Sequence, residues 1–225
     1  DAAVVWHPTS ARTAAMTWLA RIPVRVGHRI AGRGLFLTHS CADAGGHETG
    51  RYMRPLEYLG APASVRGDLS TYFWHDDEDR EFAARFADEH SLSGLVVGMH
   101  LATTWETKRW AAQRFAEAAR SLVASGAHVV ITGVVSDEPL RDAFMEDTRD
   151  LHIVDAVGRC DLFQLAALIE RCDAYVTADS GPMHIAAAVG TPGVALFGPT
   201  SPERHGPAGA GHGVVQAPLP CMPGY

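Results

Sequence analysis

From Gly94 onward one short pattern recurs: an apolar run, a turn rich in Gly, Ser, Thr and Asp, then a stretch with helical spacing. The apolar runs are Leu95 to Met99, His128 to Thr132, Leu151 to Val154, Asp173 to Thr177 and Val194 to Phe197. Between them, Thr103-x-x-Glu106 fits a capping box for a helix that ends at Ala124, with Ala111, Phe115, Ala118 and Leu122 on one face. Glu138 to Asp147 reads as the next helix. Asp161 caps a third, with Leu162, Leu165, Ala166 and Ile169 on one side. Short strands alternating with helices specify an α/β fold with a parallel sheet covered on both faces. In such sheets ligands sit outside the carboxyl ends of the strands.

The chain before Gly94 is less regular. It reads as a strand (Ala2 to Trp6), a helix (Ala11 to Ala20), a short strand (Val24 to Val26), a looser Gly- and His-rich segment (His28 to Gly50) and a helix (Arg51 to Leu59). The acidic run Asp76-Asp77-Glu78-Asp79 suits a helix N-terminus, where negative charge meets the positive end of the dipole. A domain boundary is expected there, giving domains 1–75 and 76–225. His39-x-Cys41-x-Asp43 and His47-Glu48 match no zinc spacing, and no metal is expected. The opening Asp1-Ala-Ala-Val-Val-Trp6 is already strand-like and has no initiator methionine, so the chain reads as a fragment of a longer protein.

Composition narrows the function classes. With 225 residues, 47% of them hydrophobic, the chain can bury one large or two small cores. Its net charge of −7 and lack of a basic stripe argue against a nucleic-acid partner. The four cysteines form no C-x-x-C pair, and a reduced, cytoplasmic setting is expected. No apolar run reaches the length of a membrane-spanning helix.

The turns after the strands carry the chemistry. Ala178-Asp179-Ser180-Gly181-Pro182-Met183-His184 joins a strand to a helix whose first turn starts with Pro182, and Gly190 ends that helix. Such a helix start offers bare N–H groups to an anion. Read alone, Ser180 is equally a simple cap and His184 a surface or core residue. Thr103, Thr104 and Lys108 follow another strand, Gly133 and Glu138 the next, and Gly198, Pro199 and Thr200 the last. All fall on one sheet edge. Hydroxyls, a lysine, an acid and a histidine together there point to a phosphate-bearing ligand. Neither G-x-x-x-x-G-K-[ST] nor G-x-G-x-x-G is present.

Three motifs together resemble a family. Ala102-Thr103-Thr104-x-x-x-Lys108-x-Trp110, Ala178-Asp179-Ser180-Gly181-Pro182-Met183-His184-Ile185-Ala186-Ala187 and Leu196-Phe197-Gly198-Pro199-Thr200-Ser201-Pro202 resemble the ADP-heptose:lipopolysaccharide heptosyltransferases of glycosyltransferase family 9. The Ala-Thr-Thr-x-x-x-Lys form looks closest to heptosyltransferase I. The resemblance implies a GT-B fold of two Rossmann-like domains, the N-terminal one incomplete here, and inverting transfer from a nucleotide sugar without an obligatory metal or cofactor.

By position, the resemblance implies that Thr103, Thr104 and Lys108 hold the diphosphate, with Ser180, Gly181 and His184 along it. Asp179 would face the donor sugar, and Glu138, or equally Asp137, the nucleoside. Gly198 and Thr200 complete the donor site, and Lys108 and Asp179 are the expected catalytic pair. Arg12 is a candidate acceptor contact or a solvated helix start. The implied partners are ADP-heptose and a lipopolysaccharide core or lipid A–Kdo acceptor, reached at the inner face of the membrane. The family's Gly-Asp loop, which carries the general base, is not found in the sequence, and Cys221-Met-Pro-Gly-Tyr225 departs from the family's C-x-P-C. The stretch alone is therefore expected to be inactive. A UDP-sugar enzyme or epimerase, and an inactive donor-binding relative, are the alternatives.

Overall fold

The computed structural model describes residues 1–6, 11–30, 32–42, 45–64 and 70–218. They fall into two compact units, Asp1–Leu69 and Ser70–Tyr225. Each is built on its own parallel sheet.

The first unit contains β1 (Ala2–Val5), α1 (Ala11–Leu19), β2 (Val24–His28), β3 (His39–Cys41) and α2 (Glu48–Met53), which tightens into a 3-10 turn over Arg54–Leu59. The strands lie in the order β1-β2-β3, with Ala2 opposite Val24 and Val26 opposite His39. Val5, Ala14 and Val26 are buried. The sequence does not announce β3, because three residues are too few to show a period. It is held by main-chain pairing and by the Cys41 thiol, which donates to Gly27 O at 3.3 Å. α2 starts three residues before the expected Arg51, where the His47 ring accepts from Thr49 N. The helical turns become 3-10 at Pro55, which has no N–H to continue an α-helical ladder. Asp43, one of the residues weighed as a metal ligand, lies outside the described residues. Among the described residues, no group of three or more His, Cys, Asp or Glu is placed to hold a metal ion.

The second unit contains β4 (Val96–His100), β5 (His128–Thr132), β6 (Ile153–Asp155), β7 (Ala174–Ala178), β8 (Gly193–Phe197) and β9 (His212–Gln216). Its helices are α3 (Asp77–Glu89), α4 (Ala112–Ala124), α5 (Glu138–Asp147), α6 (Leu162–Glu170), α7 (Gly181–Val189) and α8 (Pro202–His205). The sheet runs β6-β5-β4-β7-β8-β9, all parallel. Counted from β4, that is the order 3-2-1-4-5-6 of doubly wound sheets, with the switch point between β4 and β7. Both faces are covered, as one strand shows: Val129 and Ile131 of β5 pack with Met99, Phe115 and Phe144, while Val130 between them packs with Phe86, Val154 and Leu168. The acidic run caps α3: Asp76 accepts from Asp79 N, and the Asp79 side chain accepts from Asp76 N. The extended residues before it pack within this unit, Phe73 against Phe163 and His75 against Glu170.

Three local expectations need correction. Thr103 does not cap a helix running from Glu106: its hydroxyl donates to Trp105 O at 2.8 Å, Glu106–Lys108 forms only a 3-10 turn, and α4 starts at Ala112. The buried stripe of α4 is accordingly Ala112, Phe115, Ala116 and Ala119, with Ala118 and Leu122 packed at its margin. Leu162 does not join the buried side of α6 and is 54% exposed, because Asp161 caps the helix at its solvent end and burial starts near Ala166. The sheet also has a sixth strand, β9. Gly209 and Gly211 precede it, Gly213 lies within it, and Val214 and Val215 are exposed, so it lacks the apolar signal of the others.

Candidate active site

The site lies where the switch point predicts a ligand. The turn after β7 brings Asp179, Ser180 and Gly181 to the carboxyl edge of the sheet, and the turn after β4 brings Thr104, Trp105 and Lys108 to the same place. With His184 of α7 and His205 of α8 they line one open cavity of about 340 Å³. That volume is in the range of small-molecule sites.

The charges at its centre are fixed by geometry. Lys108 Nζ lies 2.8 Å from Asp179 Oδ2, and the Asp179 carboxylate is buried, with 7% of its side chain exposed. The same oxygen accepts from the Thr200 hydroxyl. Thr200 is held in turn: Gln216 of β9 donates from Nε2 to Thr200 O and to Gly198 O, both at 2.9 Å. The unannounced sixth strand therefore supports the site. Gly198 has a separate reason to be glycine. A Cβ there would stand 3.0 Å from Thr107 O and 3.5 Å from Lys108 Cα, so a side chain would push away the turn that carries Lys108.

The helix start is open. Ser180 is the N-cap of α7, yet its side chain makes no capping bond to the helix. Its hydroxyl donates to Ala178 O at 3.2 Å and lies 3.1 Å from Thr177 Oγ1. Pro182 removes one donor of the first turn at no cost, and a Cβ at Gly181 would meet nothing within 4 Å. Met183 N donates to Ser180 O at 3.2 Å, which leaves the Gly181 N–H and the positive end of the helix dipole to favour an anion in the cavity.

The other expected residues take different places. Thr103 is buried and does not line the cavity; through Trp105 O, which also accepts from Lys108 N at 2.9 Å, it shapes the turn. Gly198 and Thr200 act from behind, as described. Glu138 opens α5 farther along the edge, exposed, with Arg141 Nη1 at 3.8 Å. Asp137, its rival, uses its carboxylate on Val134 N at 2.9 Å. Arg12 is an exposed residue of α1 in the first unit. Two lining residues, Trp105 and His205, escape sequence reading. Trp105 sits inside the motif that carries Lys108, and His205 lies on the element that follows the last motif, so extending each turn to its neighbours finds both.

Beneath the site, Tyr175 of β7 reaches across β4 to β5. Its hydroxyl lies 2.6 Å from Thr132 Oγ1, which donates to Met99 O at 3.3 Å. Gly98 makes room for the ring: a Cβ there would be 2.5 Å from Tyr175 Cδ2. His100, at the end of β4, lies 3.0 Å from Thr132 O through Nδ1. Burial lowers its pKa from the ordinary histidine value, and nearby Asp137 and the Thr132 carbonyl offset this only in part.

With this geometry in view, comparisons with known proteins identify the relatives. The family model described as glycosyltransferase family 9 (heptosyltransferase) matches residues 2–225. The lipooligosaccharide heptosyltransferase 2 of Haemophilus influenzae is 43% identical over 100 residues, which are 43% of this chain and 29% of that protein. The glycosyl transferase family 9 structure from Veillonella parvula superimposes with a TM-score of 0.84 at 29% identity, covering 96% of this chain and 62% of the other. The E. coli ADP-heptose LPS heptosyltransferase II gives 0.77 at 26% identity, covering 99% and 70%. The chain thus spans about a third of the curated relative and under two thirds of the first of these structures. The Haemophilus influenzae and E. coli relatives carry the name heptosyltransferase 2 or II, which corrects the expectation of heptosyltransferase I raised by the Ala102-Thr103-Thr104 loop. That loop is too short to separate the subfamilies.

Proposed function

The chain belongs to glycosyltransferase family 9, the heptosyltransferases, and on that footing we propose that its second unit is the donor half of an inverting enzyme that moves heptose from ADP-heptose to a lipopolysaccharide core acceptor. The observation that carries the reading is the cavity at the switch point. One lysine, an uncapped helix start and two imidazoles face it, together with a buried carboxylate.

In the proposed reaction the bond from the sugar's anomeric carbon to the diphosphate oxygen breaks, and its electron pair stays on the diphosphate. Lys108 and the Gly181 N–H at the positive end of the α7 dipole oppose the charge that develops there. Removing one such contact typically costs about 3 kcal/mol of barrier. Thr104, Ser180 and Gly181 bind along the phosphates. Asp179, held by Lys108 and Thr200, orients the lysine and faces the sugar hydroxyls. Glu138, whose carboxylate is not spent on the backbone as that of Asp137 is, is assigned to the nucleoside. No metal or cofactor is required by this scheme. The acceptor binds through the first unit, with Arg12 as a candidate contact, and its deprotonation is assigned to a residue outside Asp1–Tyr225. This stretch alone is therefore expected to bind donor without turning it over. Among the described residues no helix is long and apolar enough to cross a membrane. The proposed site of action is the cytoplasmic face of the inner membrane, contacted through the acceptor.

Thermal-shift titration tests the donor class, because a ligand of the folded state raises stability as RT ln(1 + [L]/Kd). Stabilisation by ADP and not by UDP is expected. Stabilisation by UDP alone would replace the reading with a UDP-sugar enzyme.

A further inference from the structure

Lys108 and Thr200 meet at a single oxygen. Asp179 Oδ2 accepts from the Thr200 hydroxyl and lies 2.8 Å from Lys108 Nζ. Asp179 and Thr200 are both buried, so the place of the hydroxyl decides where that oxygen, and with it the ammonium, can settle. The place of the hydroxyl is set by the Thr200 main chain. The β8–β9 ladder stops short of it: the last rung pairs Phe197 with Gln216, and the chain then enters Gly198-Pro199-Thr200, where Pro199 has no N–H to offer. Gln216 carries the ladder past its end with its side chain, donating from Nε2 to Gly198 O and to Thr200 O, each at 2.9 Å. An amide group has two N–H donors, one for each carbonyl. Carbonyls only accept, so the NH2 end of Gln216, and not Oε1, must face them.

Resting on the donor reading, we propose that Gln216 is a positioning residue for the transfer. Its amide fixes the Thr200 main chain, the Thr200 hydroxyl holds Asp179 Oδ2, and that oxygen sets Lys108 Nζ against the leaving diphosphate. Gln216 is not among the residues that line the cavity, and it acts only through this relay. Lys108 matters most when the bond to the diphosphate breaks and charge gathers on its oxygen. A lysine that is held loosely still meets the phosphates of the bound donor but opposes that developing charge less well. The contribution of Gln216 is therefore felt in the transition state more than in donor binding. The contacts that lie along the phosphates, Thr104 and Ser180, do not depend on the β9 amide.

The test is steady-state transfer from ADP-heptose to a lipopolysaccharide core acceptor by the intact protein, run well below the melting midpoint. The natural protein is compared with Gln216→Met, Thr200→Val and the double variant. Methionine keeps the length of the side chain and removes both donors. Gln216→Met is expected to lower kcat by about five- to thirtyfold, the scale of one or two lost hydrogen bonds, while the KM for ADP-heptose changes by less than about twofold. The double variant should be little slower than Thr200→Val alone, because both changes act through one hydroxyl. Gln216→Glu, equal in length and without a donor at neutral pH, must also lower kcat, which keeps the test decisive if Gln216→Met does not fold. An unchanged kcat in either folded variant, or losses that multiply in the double variant, would show that Gln216 only holds the sheet edge and overturns this inference alone. Absence of transfer from ADP-heptose by the natural protein overturns the donor reading and this inference with it.

Discussion

At the scale of single residues, the unusual glycines are explained by what stands next to them. Gly98→Ala would place a methyl 2.5 Å from Tyr175 Cδ2 in a packed core. Overpacking of that kind is expected to lower stability by about 1–3 kcal/mol, read from a denaturant titration. Gly198→Ala is expected to behave differently. Its neighbour is the Thr107–Lys108 backbone, so ADP affinity should fall while the melting midpoint moves little. Equal losses in both measurements would show that Gly198 only serves packing. His100 sets a pH dependence. Its folded-state pKa is lowered, chiefly by burial, so the stability it contributes is full above the unfolded histidine value of about 6.5 and is lost as pH falls from there through the lower folded-state value. The stability lost between pH 7.5 and 5.5 should be smaller in His100→Gln than in the natural protein, measured by urea titration at each pH.

At the scale of elements, two helix starts built from similar residues do different work. Asp161 accepts from both Phe163 N and Gln164 N, and Gln164 returns a bond to Asp161 N. Asp161→Ala should therefore cost about 1 kcal/mol of stability. Ser180 makes no such bond to α7. Ser180→Ala should leave stability within a few tenths of a kcal/mol of the natural value and weaken ADP binding, whereas a full capping loss would contradict the open helix start. The sequence marks Asp161 and Ser180 alike, as polar residues before a helix. It cannot tell them apart, because the difference lies in where each side chain finds its partner. The same limit explains Thr103. Its spacing to Glu106 fits a capping box, but the hydroxyl is taken by Trp105 O and the turn stays open for Lys108.

At the scale of the whole molecule, the alternation from Gly94 to Phe197 carries the second unit's fold, and with it the edge on which the site forms. Lys108, Asp179, Ser180, Gly181 and His184 could be placed there from turns alone, because strand ends in a parallel sheet share one edge. The strands β3 and β9 were not legible: one is too short for a period, the other too exposed for an apolar signal. The turns place Thr200 on the same edge as Asp179, but the sequence could not show that its hydroxyl bonds that carboxylate or that Gln216 of β9 holds the Gly198 and Thr200 carbonyls. The central claim is that this turn and Lys108 hold the leaving diphosphate. Donor turnover by Lys108→Ala in the intact protein tests it most directly. The account predicts a fall in kcat/KM of roughly a hundredfold or more, with the melting midpoint nearly unchanged. A rate equal to that of the natural protein would contradict it.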